Sequence, residues 1–475
     1  MQRCFGGVRY LNGIGPSVRN ISKLDSNARP MIQLMQNTGM SVDLTHFANM
    51  EKTLEQDLDS ITAEVHRITG HHINLASSEQ KSILLFKTLG LKQARPVMTT
   101  GGDRESVENE VLVAIQHDHE VVGLMLQYAE LDKLRGTYVA PIPKLAKHTK
   151  FGEWKIYPRF KTTRIPSGRF ACSSPNLLAM PSRTDRGREV KKGFPARPGY
   201  VYVSVDESQI EVRVAAHRSQ DKALMRIYEN EEDIYYDFAT TAFKKKDQRY
   251  RDETGWHYPG IDKITERFPA KTCVLASIYD VTAGGLLEQM PVVCGNCNWI
   301  SLPLSDKNYS KHSCSRFISL WTEQKCQELI TAFYLRYPGL MTMRKADHRR
   351  AMAKTMLWDD WGRILHTTAV RSVHPWVVSA ALREAANMPV QGTACGTLKL
   401  TMAALYPEWI QDKGLQEICS FLLPVHDELV VECREDTAQD VGEWIKYHFE
   451  NCVKLSVPIK AEYSDPAPSW GLISK

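Results

Sequence analysis

Apolar positions along this chain recur in two rhythms. Between Arg29 and about Ala140 the spacing is three and four: Leu44, Phe47, Leu54, Leu58, Ile61 and Val65 line one face of a helix, with Asp43 as its cap. The same spacing predicts a second long helix over Ser106 to Leu134. Near residue 200 the period becomes two. In VYVSVDESQIEVRV, after the Pro198-Gly199 turn, Val201, Val203 and Val205 fall on one face of a strand. Tyr202, Ser204 and Asp206 fall on the other, which is predicted to be polar. FLLPVHDELVVEC predicts two strands joined by a tight turn at His426-Asp427, with the carboxylate at the tip. No internal repeat appears, and no run of about 18 apolar residues that would span a membrane.

Composition adds little until it is taken locally. The chain has 475 residues, 43% hydrophobic and 24% charged, with a net charge of +5. From Lys144 to Arg169, however, eight lysines and arginines face one acid, Glu153, with Phe151, Trp154, Tyr157 and Phe160 interleaved. That mixture suits a nucleic-acid backbone, and it also suits a solvated loop with packed aromatics. Eleven cysteines without a secretory signal indicate a reducing compartment. The first 24 residues hold Arg3, Arg9, Arg19 and Lys23 but no acid, a weak likeness to an organellar transit peptide. Gly6-Gly7, Gly13 and Pro16 interrupt any helix there, so a flexible leader over residues 1–24 and a cytoplasmic location are expected.

Asp206 and Asp427 carry the candidate chemistry. Carboxylates on neighbouring strand ends share divalent cations, and two such ions roughly 3.5 to 4 Å apart stabilise the attacking and leaving oxygens of phosphoryl transfer. Each segment alone fits a solvated turn aspartate equally well.

DESQIEVR and VHDELVVE resemble the first and third polymerase motifs of family A DNA polymerases, the DNA polymerase I-like enzymes. Three further segments are similar in order: TTRIPSGRFACSSPNLLAMP to the segment gripping the primer-template, ERFPAKTCVLASIYDVTAGGL to the nucleotide-binding fingers helix, and REAANMPVQGT to the helix beside the primer terminus. The resemblance implies an α+β right-hand fold, with an antiparallel palm sheet and helical fingers and thumb. It places the thumb at 25–160, the palm at 161–220 and 369–475, and the fingers at 221–368. Relatives often carry a 3′–5′ exonuclease domain before the thumb. About 25 residues precede the likeness here, so the expectation is no intrinsic proofreading, with a separate exonuclease or processivity factor as partner.

By the same resemblance Asp206 and Asp427 are the ligands of two Mg²⁺ ions. Glu428 supports them while pointing away, as neighbouring strand residues do. Arg267 and Lys271 bind the incoming triphosphate, and Lys271 is also catalytic. Lys271, Leu275 and Tyr279 share a helix face, and Pro269 sets Arg267 at or just before the helix start. Gln209 and Tyr235 complete the nucleotide contacts, Tyr235 standing where the family commonly has histidine. Glu211 aligns with the carboxylate that crowds a 2′-hydroxyl, implying deoxyribonucleotides. Arg169, Asn176, Arg383, Asn387, Gln391 and His426 are the implied DNA contacts. Leu275 replaces an aromatic residue, Leu178 and Ala179 replace polar ones, and Glu207 and Asp280 are extra acids that either tune the site or are solvated.

One insertion, residues 291–318, interrupts the fingers. Its Cys294-x₂-Cys297 and His312-x-Cys314 supply four ligands of the type that hold structural Zn²⁺, with Cys326 as a substitute and a metal-free loop as the alternative. The resulting expectation is a monomeric enzyme extending a primer on a DNA template with deoxynucleoside triphosphates, in viral or mobile-element replication or in repair. A single-subunit RNA polymerase and a non-catalytic DNA-binding factor are the alternatives.

Overall fold

The computed structural model describes residues 18–93, 97–99, 104–116, 118–181, 185–294, 300–301 and 317–473. Helix α1 spans Val18–Thr38 and α2 Leu44–Thr69. Asp43 caps α2, its carboxylate accepting from the His46 amide at 2.9 Å, and Gly70 ends it at φ 71°. Phe47, Leu54, Leu58, Ile61 and Val65 form its buried stripe, as the spacing predicts. The second predicted helix is broken. Helix α3 covers Asn109–Ala114 and α4 Glu120–Leu134, because the chain turns at Ile115–Asp118 and the His119 ring caps the new helix at the Val121 amide. Helix α1 starts inside the expected leader and packs on the palm, so the predicted boundary at residue 25 falls within a helix.

Strand β1, Tyr200–Glu207, leads into helix α5, Ile210–Ser219. The fingers follow: α6 (Ile234–Ala242), the short hairpin β2 (Tyr250–Asp252) and β3 (Gly255–His257), α7 (Phe268–Ile278), α8 (Glu323–Arg336) and α9 (Pro338–Lys354). Helix α10, Pro375–Gln411, returns the chain to the palm over 37 residues, or about 55 Å. Strands β4 (Cys419–Val425) and β5 (Glu428–Arg434), helix α11 (Ala438–Asn451) and strand β6 (Ala461–Tyr463) finish it. The palm sheet runs β4-β5-β1-β6, antiparallel throughout.

Among the described residues two large apolar cores result, beside a small cluster of Ala351, Leu357, Val370, Ala381 and Ala385. One joins α2 and α4 of the thumb to the palm sheet, and the other fills the fingers. Helix α10 serves both: Leu398, Met402 and Leu405 enter the first, Val390, Ala394 and Leu400 the second. The predicted polar face of β1 is not exposed. Tyr202 and Ser204 are as buried as Val203 and Val205, so the sheet is covered on both sides and the alternation reports only the pleat. Among the described residues no helix is long and apolar enough to cross a membrane.

Candidate active site

Register brings the two key aspartates to one end of the palm sheet. Strands β4 and β5 are joined by only His426 and Asp427, and His426 turns the chain at φ 56°, a left-handed conformation in which histidine is over-represented. Asp427 therefore occupies the tip. Its carbonyl accepts the Glu207 amide at 3.2 Å, tying the tip to the end of β1, where Asp206 stands. Glu428 differs from expectation: it pairs with Asp206 across the sheet, and directly opposed residues share a face. Strand alternation does not set it against Asp427, because Asp427 lies in the turn. Glu462 of β6 is opposed to Asp206 on the other side.

Glu207 is not solvated. It is 3% exposed, Thr397 of α10 donates to one of its oxygens at 2.9 Å, and the other oxygen, Oε1, has no hydrogen-bond partner. Burial, and then the charges of Asp427 and Asp206 against the opposing Thr397 bond, push this carboxyl well above the usual range. The second extra acid, Asp280, is held by Arg344 and, at 3.3 Å, by His348. Burial raises its carboxyl, but the His348 bond and the Arg344 charge outweigh it and leave it lowered.

Between β1 and α5 the chain turns at Gln209, φ 55°, whose side-chain oxygen accepts from the Tyr228 hydroxyl at 3.0 Å. That turn sets Glu211 in the first turn of α5, where it bridges Arg169, 42 residues before it, and the Tyr279 hydroxyl at the end of α7. Burial raises the Glu211 carboxyl to about 7, with the Arg169 charge opposing and Asp427 reinforcing. Three segments distant in sequence thus meet on one carboxyl group.

Pro269 is in the first turn of α7, as its missing N–H requires, but a five-residue π-helical stretch, Lys263–Arg267, runs straight into it. Arg267 accordingly stands just before the start of α7, as the proline predicts, and is itself in helical conformation. Its guanidinium meets Asp233 at 2.6 Å and lies over the rings of Tyr235 and Tyr236, 5.3 and 4.8 Å from their centroids. Asp233 also caps α6, accepting the Tyr235 and Tyr236 amides. Lys271 lies 5.5 Å from the Tyr235 centroid and has no ion-pair partner among the described residues. Burial lifts the Tyr235 hydroxyl to about 12. Gln209, Tyr235, Arg267 and Lys271 line one cleft of about 690 Å³, closed by Arg251 and Trp256 of the β2–β3 hairpin. Leu275 and Tyr279 pack on the fingers core.

Arg383, Asn387 and Gln391 run along α10, each half-buried, and Arg383 donates to the Ser379 hydroxyl at 2.7 Å. Asn176 is exposed beside the buried Leu177. The predicted zinc ligands Cys297, His312 and Cys314 lie outside the described residues, as does the Cys294 side chain; Cys294 ends a short strand. Cys326, the substitute ligand, is fully buried in the fingers core. Among the described residues no three His, Cys, Asp or Glu side chains form a ready metal cage. Sequence reasoning missed Asp233 and Thr397. The first was legible as an Asp before an apolar helical stretch; the second carries no local signal.

A family model described as DNA polymerase family A matches residues 44–471. The chain belongs to that family. It is 31% identical over 432 residues to the thermostable DNA polymerase I of Thermus thermophilus, covering 90% of this chain and 45% of that one. The thermostable enzyme of Thermus aquaticus is 30% identical with the same coverage, and DNA polymerase I of Pseudomonas aeruginosa 26% over 454 residues, with 95% and 44% covered. This family A chain therefore spans a little under half the length of those relatives. A solved POL domain of Pol1 from M. smegmatis, in complex with DNA primer-template and dNTP, superposes with a TM-score of 0.76 over 95% of this chain and 72% of that one. At 21% identity the likeness shows the fold alone, a mixed α+β right hand.

Proposed function

We propose that the chain is a template-directed DNA polymerase, adding deoxynucleoside triphosphates to a primer 3′-hydroxyl with release of pyrophosphate. The observation that carries this reading is the meeting of Asp206 and Asp427 at one sheet end, with Glu211 joined to the fingers helix that bears Lys271 and Arg267. The relatives' names and the primer-template in the M. smegmatis complex support the substrate class.

Mg²⁺ fits the donors. They are hard carboxylate oxygens, and beside them buried Glu207, raised by burial first and then by the charges of Asp427 and Asp206, has its Oε1 without a partner. Asp206 and Asp427 would hold two ions, which when bound supply activation of the 3′-hydroxyl and neutralisation of the leaving group. The chain's own residues do the positioning. Lys271 and Arg267 take the triphosphate in the 690 Å³ cleft, with Tyr235 as their aromatic floor. Glu211, braced by Arg169 and Tyr279, occupies the space a ribose 2′-hydroxyl would need.

Primer extension on a DNA template with Mg²⁺, comparing deoxy- and ribonucleoside triphosphates, tests the reading. Deoxynucleotide extension that is lost in Asp427→Ala supports it. Preferential ribonucleotide extension would establish the RNA polymerase alternative, and DNA binding without any extension a non-catalytic factor.

A further inference from the structure

The N-terminal end of α10 presents apolar surface to water, covered by no other described residue. Val373 is 88% exposed and Trp376 67%, and the His374 ring stacks on Trp376 with centroids 4.5 Å apart and planes 25° from parallel. Beside them lies a cleft of about 370 Å³, walled by Asp280, His348, Val373, Pro375 and Ser379. Exposed aromatic faces beside a charged groove are how proteins hold single-stranded nucleic acid, since every base has a face to stack.

The neighbouring charge has the matching sign. Helix α9, which supplies His348, carries Arg344, Lys345, Arg349, Arg350 and Lys354 against one acid, Asp347. Arg350 pairs with that acid, and Arg344 with Asp280 of the cleft wall. Lys345 and Arg349 are exposed and have no ion-pair partner among the described residues. Helical geometry supplies the direction. Trp376 precedes Arg383 by seven residues, which returns it to the same face within about 20° and sets it about 10 Å further along α10. The stripe Arg383, Asn387 and Gln391 thus continues into the Trp376 platform, and Arg383 is bonded to Ser379 of the cleft wall. About 10 Å is roughly three nucleotides of a strand.

We propose that the His374–Trp376 stack and the adjoining cleft bind the unpaired template strand ahead of the active site, stacking one of its bases on Trp376 while Lys345 and Arg349 meet its phosphates. This rests on the polymerase reading for the stripe that leads to it. The platform replaces contacts that a purely ionic surface would make, so its hold on the strand persists better in salt than the hold of the duplex grip.

Fluorescence anisotropy with labelled primer-templates tests it, comparing a long 5′ template overhang with an overhang of one nucleotide. The native chain binds the long overhang more tightly. Trp376→Ala loses about tenfold of that preference, Trp376→Phe keeps it, and both bind the one-nucleotide overhang as the native chain does. Trp376 is exposed, so neither substitution removes core packing. A preference for the long overhang that survives in Trp376→Ala, or is absent from the native chain, overturns the platform. Primer extension run alongside keeps the two readings apart. Extension with a Trp376-independent preference sinks only the platform, whereas Trp376-dependent binding of a single strand without extension sinks only the polymerase reading.

Discussion

In the palm, the acidic side chains stand on a sheet buried on both faces, and backbone register alone decides which of them meet. In the fingers, the cations stand on one helix and rest on other side chains, Arg267 on Asp233 and two tyrosine rings, Lys271 on a ring only. The contrast has a physical consequence. Backbone register sets the palm carboxylates, while Arg267 is already neutralised by Asp233, which the triphosphate of the proposed reaction would have to displace. Lys271 carries the charge that is still available. The palm half is built for fixed geometry and the fingers half for exchange of partners.

The largest effect expected is on the palm side. Asp427→Ala removes a carboxylate from the hairpin tip without touching the core, so extension falls roughly 10³-fold, about 4 kcal/mol of transition-state stabilisation, while primer-template affinity holds. Equal losses of rate and DNA affinity would mean that Asp427 grips DNA and holds no metal. Next comes the fold of the fingers. Asp237 is fully buried and binds Arg249, Arg336 and the Tyr337 hydroxyl at 2.9–3.0 Å. Asp237→Asn leaves two arginines poorly matched at a cost of about 3 kcal/mol, read as a lower urea midpoint. Burial raises this carboxyl, but Arg336, Tyr337 and Arg249 outweigh it and leave it lowered. A lowered folded value means that the contribution is present above the unfolded value near 3.8 and is lost as pH falls through the folded one. An unchanged midpoint would show that the fingers do not depend on this cluster.

Within the fingers helix the two cations should separate. Lys271→Ala costs roughly 10²-fold in kcat/KM for the nucleotide, and Arg267→Ala about tenfold, because Arg267 first gives up Asp233. Steady-state kinetics on both variants decides it, and a larger loss at Arg267 would reverse the assignment of the available charge.

How much of this was legible depends on how local the cause is. The strand-end aspartates, the Asp43 cap and the stripe on α2 are written in adjacent residues, and the structure follows them. The burial of Glu207 depends on Thr397, 190 residues away, and on strand β5, so no window of sequence shows it. The covered second face of β1 has the same origin, since alternation cannot tell what packs on a pleat. The break before α4 turns on one histidine ring, too small a signal against a strong periodic background. Proline fixed where α7 begins, but the π-helical stretch that runs into it, Lys263–Arg267, carries no comparable local signal.

Glu211 offers the finest test, because it stands where the two halves meet and because bulk and charge can be separated in it. Its carboxyl is raised to about 7 by burial, against the Arg169 charge and with Asp427. The folded value lies above the unfolded value of 4.5, so the native state holds the extra proton in that window. Its contribution to stability is fully present below pH 4.5 and is lost as pH rises through about 7. Glu211→Gln keeps the side-chain volume and removes the titration. The stability profile of the metal-free chain then flattens across that window, measured by thermal melts at a series of pH values. Discrimination against ribonucleotides stays at the native level, since a gate that works by occupying space does not need the charge. Glu211→Ala flattens the profile equally but admits ribonucleotides. If Glu211→Gln instead loses discrimination with an unchanged pH profile, the gate works through the charge-assisted bonds to Arg169 and Tyr279, and the fingers, not the palm, set the choice of sugar.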